Sequence, residues 1–303
     1  KLEPNGTDYV ALIVYMPESV GNEANYRGTE IPTIQLGVEL LATQVDHETD
    51  SFGPDYDAGL SPLEDGEVLI EKGGAQYVTN AASTTYLYVV PADYAEDTFT
   101  VAPGTAAIGN YAFAYNSNVE TVILPASVTS LGRGFDSSTV KKVVLNEGLQ
   151  QIDSRAFRST SALEEVVISS TVKVIADNAF QKSGIKTITI PATVETIGET
   201  AFGASKVETV IIEGNTAIQA YAFRGCTQLR TVYLNGDDVT FINSTLNGRN
   251  NCWFCNSESN NPNTSNITFH VKNETVAARL RAALGAENPA TTPIYINGVL
   301  YQP

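Results

Sequence analysis

Val119-Glu-Thr-Val-Ile-Leu124 returns, with chemical type preserved, near residues 140, 163, 185, 207 and 229. Each return lies close to an Ala-Phe or Gly-Phe pair, whose phenylalanines stand at 113, 135, 157, 180, 202 and 223. The steps between them are 22, 22, 23, 22 and 21 residues. A period of that length predicts a solenoid, because so short a unit buries its apolar side only by stacking on the next.

Aligned, the units read apolar, two variable, apolar, one variable, apolar: Val119/Val122/Leu124, Val140/Val143/Leu145, Leu163/Val166/Ile168, Ile185/Ile188/Ile190, Val207/Val210/Ile212 and Leu229/Val232/Leu234. The last two positions of each have strand spacing, with both side chains inward. A second apolar pair follows, as Val128/Leu131, Leu149/Ile152, Val172/Ile175 and Val194/Ile197. Each unit therefore reads as a short strand, a turn, a second extended stretch, and a tight turn or single helical turn carrying Phe. The six phenylalanines are expected to stack into an aromatic column on the convex side.

Leu124-Pro125-Ala-Ser-Val128-Thr-Ser-Leu131-Gly132 and Ile190-Pro191-Ala-Thr-Val194-Glu-Thr-Ile197-Gly198-Glu-Thr-Ala201-Phe202 resemble the phrase I-P-x-x-V-x-x-I-G-x-x-A-F of BspA-like bacterial leucine-rich repeats. The resemblance implies a mainly β, right-handed leucine-rich-repeat solenoid over residues 98–242, with about six units. It also implies adhesion to host or matrix proteins, or to neighbouring bacteria. The position usually held by Asn or Cys in such repeats is here Ser127, Gly148, Thr171, Thr193, Asn215 and Asp237, so a continuous asparagine ladder is not expected. The fifth unit is one residue shorter between Ile212 and Ile218, and the sixth loses the phrase after Leu234.

Inward positions explain stability, so function is sought at outward ones. The residue between the paired apolar positions is Ile123, Val144, Val167, Thr189, Ile211 and Tyr233 down the stack. Two residues earlier lie Thr121, Lys142, Glu165, Thr187, Thr209 and Thr231. A solvated sheet face alternates towards polar residues, yet five of the six central positions are apolar or aromatic. An exposed stripe of that kind marks an interaction surface, here the concave face. The alternatives are strand propensity alone or cover by a neighbouring segment.

Residues 1–60 do not share the period. Tyr9-Val-Ala-Leu-Ile-Val-Tyr15 and Ile34-Gln-Leu-Gly-Val-Glu-Leu-Leu-Ala-Thr43 read as strands. Gly21-Asn22-Glu23 with Tyr26, Leu41-Ala-Thr-Gln44, and Asp50-Ser51-Phe52 with Tyr56-Asp57 resemble the carboxyl end of TasA/camelysin-like modules. That resemblance implies a secreted β module, here partial, of which only the last strands are present. An incomplete sheet has open edges, which pair readily with other chains. Residues 61–97 read as a linker or hairpin and amino-terminal cap, with Tyr86-Leu-Tyr-Val-Val90 a strand leading into the stack. Over 243–303, Ile267-Thr-Phe-His-Val271 is a strand and Asn273 caps a helix with Val276, Leu280 and Leu284 on one face. Gly285 ends it, and Pro293-Ile-Tyr-Ile-Asn-Gly298 is another strand, so a β-α-β carboxyl-terminal cap is expected. Arg279 and Arg281 read as solvated.

The formal charge of −16, from 34 acidic and 18 basic residues, opposes nucleic acid, whose binding rests on Lys and Arg neutralising phosphates. An anionic membrane surface is disfavoured for the same reason, and no apolar run approaches the length that spans a bilayer. No Met precedes Lys1, so the chain reads as a mature or trimmed product. Cys226 reads as a small buried hydrophobe. Cys252 and Cys255, in Asn-Cys-Trp-Phe-Cys-Asn, sit in what reads as an irregular loop rather than the strand-to-helix setting of a redox motif; a disulfide or plain thiol pair is expected. His47 and His270 lack zinc spacing to these cysteines. Asp46, His47, Glu48, Asp50, Asp55 and Asp57 lack the EF-hand pattern and read as a solvated acidic loop. Sequons occur at Asn5, Asn243, Asn263, Asn266 and Asn273.

Hydrolase elbows, P-loops, H-E-x-x-H and dinucleotide fingerprints are all lacking. The expectation is a non-catalytic, extracellular or cell-surface bacterial protein without cofactor or metal, binding a protein or glycan on host or neighbouring cells. The alternative is a structural spacer or assembly component of a surface fibre.

Overall fold

The computed structural model describes residues 63–64, 66–243, 253–254, 266–284 and 292–302, all within the unit spanning 58–303. The module expected over 1–60, the acidic cluster within it, Cys252, Cys255 and Gly285 lie outside the described residues.

Strands β1 (Val68–Lys72) and β2 (Ala75–Thr79) form an antiparallel hairpin about Gly73 and Gly74. Both glycines adopt positive φ, at 57° and 77°, where a Cβ is costly. Of the two readings of this stretch, a linker or a hairpin, the structure has the hairpin. β3 (Thr85–Val89) pairs antiparallel with β2.

The coil then runs through β4 (Thr98–Thr100), β5 (Thr105–Ile108), β6 (Thr121–Ile123), β7 (Lys142–Val144), β8 (Gln151–Ile152), β9 (Glu165–Val167) and β10 (Val174–Ile175). It continues through β11 (Thr187–Ile190), β12 (Thr196–Ile197), β13 (Thr209–Ile212), β14 (Ala217–Gln219), β15 (Thr231–Leu234) and β16 (Thr240–Ile242). Last come β17 (Thr268–Val271), α1 (Glu274–Leu284), β18 (Ile294–Ile296) and β19 (Val299–Leu300). The protein is a mainly β solenoid of stacked parallel strands with one helix among the described residues.

The first strand of each turn joins a parallel face, in the orders β4-β6-β7-β9 and β11-β13-β15-β17-β18, with β19 added antiparallel to β18. The second strands make a parallel sheet, β16-β14-β12-β10-β8. The inward positions of the repeat are buried from Val119 to Leu234. β9 and β11 are not hydrogen-bonded neighbours. Beside that gap, Val166 and Ile168 are 9% and 8% exposed, whereas Val143, Ile188 and Val210 are at most 1%.

Phe113, Phe135, Phe157, Phe180, Phe202 and Phe223 form a column with centroid spacings of 4.7–5.1 Å and ring planes within 14° of parallel. All six are fully buried, so the rings point into the coil. Local backbone is the reason. Tyr111, Arg155, Asn178, Thr200 and Tyr221, two residues before a column Phe, and Ser137, Ser159, Lys182 and Ala204, two after one, all have φ between 54° and 63°. Left-handed residues on both sides reverse the chain twice and turn the ring inward, where a helical turn had been one expectation. Each costs about 1 kcal/mol for a residue with a Cβ. An offset ring pair returns a comparable amount beyond area burial.

The column is longer than the repeat phrase. Phe254 stacks on Phe223 at 5.1 Å, and edge-on rings close the stack at both ends, Phe99 on Phe113 and Phe269 on Phe254. Trp253 is nearly buried, donating its indole N–H to the Ile242 carbonyl at 3.1 Å, while its own carbonyl accepts from Phe223 N. These two residues of the Cys-Trp-Phe-Cys stretch lie in neither strand nor helix, as expected of an irregular loop, and yet belong to the core.

Three residues after each column Phe lies a buried small or polar group: Asn116, Ser138, Thr160, Ser183, Ser205 and Cys226. Thr160 Oγ1 donates to Phe157 O at 2.6 Å and Cys226 Sγ to Phe202 O at 3.0 Å. Burial pushes the Cys226 thiol up to about 11. Cys226 is thus the thiol member of a buried row of mostly polar groups. At the position where related repeats carry Asn, Ser127 Oγ and Thr171 Oγ1 donate to the carbonyls of Thr105 and Leu149, both at 2.7 Å. Hydroxyls there bridge to the preceding turn.

Asn273 Oδ1 accepts from Val276 N at 2.9 Å, capping α1, and Asn273 Nδ2 donates to Asp237 O at 3.0 Å. That sequon's amide is therefore engaged within the fold. Val276, Leu280 and Leu284 are buried. The arginines of α1 are not simply solvated: Arg279 Nη1 pairs with Asp238, and Arg281 Nη1 donates to Thr292 O at 3.3 Å. The two flank the buried stripe of α1 on its opposite edges.

Candidate interaction surface

The outward residues of the first strands fall into register rows. One row aligns Thr100, Ile123, Val144 and Val167 across β4, β6, β7 and β9. Its continuation aligns Thr189, Ile211, Tyr233, His270 and Tyr295 across β11, β13, β15, β17 and β18. The six residues singled out in the sequence thus fall into two triplets, Ile123/Val144/Val167 and Thr189/Ile211/Tyr233, on either side of the unpaired β9–β11 junction. Period-two alternation fixes this, since Val122, Val143, Val166, Ile188, Val210 and Val232 occupy the core.

Exposure differs between the triplets. Ile123, Val144 and Val167 are 45%, 38% and 45% exposed, Thr189 is exposed, and Ile211 and Tyr233 are half-buried. Among the described residues no segment covers the first triplet. Beside it Lys142 Nζ and Glu165 Oε2 pair at 2.9 Å. Both are largely exposed, so the pair contributes well under about 1 kcal/mol.

The second triplet leads into a ring stack absent from the sequence reading. Tyr233 lies 4.6 Å from His270, and His270 lies 5.5 Å from Tyr295, with ring planes 12° and 22° apart. One signal could have revealed His270: Thr268-Phe-His-Val271 repeats the Thr-apolar-outward-apolar order of Thr231-Val-Tyr-Leu234. The neighbouring row is Thr187, Thr209, Thr231 and Thr268, a line of four hydroxyls beside the rings. The two halves of the face thus have different chemistry, aliphatic with a charge pair on one side of the junction, aromatic with hydroxyls on the other.

Among the described residues no group of three or more His, Cys, Asp or Glu side chains is placed to hold a metal ion, and no helix is long and apolar enough to cross a membrane. The face supplies contact area and hydrogen-bonding groups.

The sequence model for the BspA-type leucine-rich repeat region, in six copies, matches residues 106–230 and 133–260, together just over half of the chain. No curated protein sequence matches. Among solved structures, the leucine-rich repeat protein TpLRR of T. pallidum is 18% identical with a TM-score of 0.54, over 73% of this chain and 99% of that one. The pneumococcal vaccine antigen PcpA is also 18% identical, with a TM-score of 0.47, over 77% of this chain and 49% of that one. The chain thus spans about half the length of the pneumococcal protein.

Proposed function

The chain belongs to the BspA-type leucine-rich repeat family, and from that premise we propose that it is a non-catalytic, secreted or cell-surface bacterial protein that binds another protein through the outward rows of its first-strand face. The observation that carries this reading is the exposed aliphatic row Ile123/Val144/Val167, placed where a merely solvated sheet would carry polar side chains. Family membership supports it, because repeat solenoids present extended surfaces that engage a partner along many units at once.

The test is capture of host matrix proteins, glycans and bacterial cells by wild type and by an Ile123→Lys/Val144→Lys/Val167→Lys variant of unchanged circular dichroism. The reading expects a loss of at least about tenfold in affinity, roughly 1.4 kcal/mol. Undiminished capture removes it.

A stiff spacer is the second reading, favoured by the parallel Phe column from Phe113 to Phe254. Under that reading the triple variant behaves as wild type, and deleting residues 1–60 abolishes function.

A further inference from the structure

We propose that the depression at the carboxyl ends of β15, β17 and β18 is a binding site for a neutral sugar. It is lined by Asn235, His270, Val271, Lys272, Asn297 and Gly298. The strand register builds it. Leu234, Val271 and Ile296 are aligned across the three strands, so the residues that follow them, Asn235, Lys272 and Asn297, emerge side by side. Asn297 and Gly298 then form the two-residue turn into β19, with φ of 50° and 80°, which makes one wall of the depression.

Two features point to the class of ligand. The first is the balance of charge. Lys272 Nζ is paired to Asp237 Oδ2 at 2.8 Å, and Asn235 Nδ2 donates to Glu213 Oε2 at 3.0 Å. The single lining cation is thus neutralised at the rim, and a phosphate or carboxylate ligand would meet Glu213 and Asp237 as well as Lys272. What remains are the Asn235 amide oxygen, the Asn297 amide and an imidazole, which between them donate and accept, the complement of a row of hydroxyls. The second feature is preorganisation. His270 is held between Tyr233 and Tyr295, so a ligand meets a ring already fixed in orientation and loses less entropy on binding. Val271, the apolar side chain in the lining, is 4% exposed, so the polar groups carry the recognition. This site does not depend on the reading of the Ile123 row.

The experiment titrates the whole chain with methyl glycosides of glucose, galactose, mannose and N-acetylglucosamine at millimolar concentration, following the imidazole resonances. With only two histidines in the sequence, His270 is assigned by comparison with His270→Ala. One glycoside is expected to shift the His270 signal saturably. Its affinity should fall at least about tenfold in Asn235→Ala and in Asn297→Gly, which keeps the turn's positive φ, and be unchanged in Ile123→Lys. The absence of any saturable shift overturns the proposal. So does a shift indifferent to both amide substitutions, or a response to inorganic phosphate or a short peptide but to no glycoside.

Discussion

Phe254 stacks on Phe223 with ring centroids 5.1 Å apart and planes 10° from parallel, although 31 residues (254 − 223) separate them where other column neighbours are 21–23 apart. The column, and not the residue count, is therefore what keeps successive turns in step. A turn of irregular length is accommodated as long as it delivers its ring to the stack.

Phe157, with stacked rings on both faces, and Phe254, with one stacked neighbour and two edge-on neighbours, Phe241 and Phe269, test that dependence. Truncation of a buried Phe to Ala costs about 3–5 kcal/mol. Phe157→Ala should lie at the upper end and Phe254→Ala lower, as read from urea midpoints at constant m-value. A cost below about 1 kcal/mol for Phe157→Ala would falsify the role given to the column.

Gly236 marks where successive turns approach most closely. A Cβ built there falls 2.1 Å from the Gly214 carbonyl oxygen, and one on Gly184 falls 2.3 Å from that of Ser161. Neither obstacle is a flexible side chain. Gly236→Ala and Gly184→Ala should each cost about 1–3 kcal/mol through forced separation of the turns. Thermal melts of the two variants give the answer, and melting points equal to wild type would refute the close approach.

Thr200 is β-branched yet sits at φ 54°, a conformation it tolerates poorly. Thr200→Gly should gain up to about 1 kcal/mol, the relief of left-handed strain less the entropy glycine adds to the unfolded chain. Lys182, unbranched at φ 59°, should gain less on the same change. A destabilised Thr200→Gly protein would mean that its side-chain packing outweighs the backbone cost.

Cys226 links stability to alkaline pH. Burial holds its folded-state pKa at about 11, above the ordinary thiol value of 9.0. The thiol's contribution is therefore fully present below the unfolded value and is lost as pH rises from there through the folded one, because only the unfolded chain releases the proton in that window. Cys226→Ala should flatten the decline of stability across this range. In the native protein at neutral pH, mass mapping should show no modification at Cys226 by an alkylating agent, and rapid labelling there would contradict its burial.

The repeat was legible because inward positions obey a hard constraint: Val122, Val143, Ile188 and Val210 must be apolar or the turns do not stack. The outward row followed from alternation. Three features escaped notice for physical reasons. Phe254 was hidden by its 31-residue separation, which breaks the period that exposed the other six. His270 and Tyr295 join the row through strand pairing beyond the last recognisable phrase, and pairing partners are tertiary information. The burial of the Phe column depends on left-handed backbone at residues such as Arg155 and Lys182, whose identities carry no preference for that conformation. Exposure of Ile123 over Ile211 could not be read either, since both are β-branched residues at the same repeat position.

The missing hydrogen bonds between β9 and β11 have a mechanical meaning. Behind them β10 and β12 stay paired, and Phe157 and Phe180 stay stacked, so the ribbon is fastened along its back and unlatched in front. Tension along the stack would spread the front edges at Val167 and Thr189 about that fixed back, lengthening the face there.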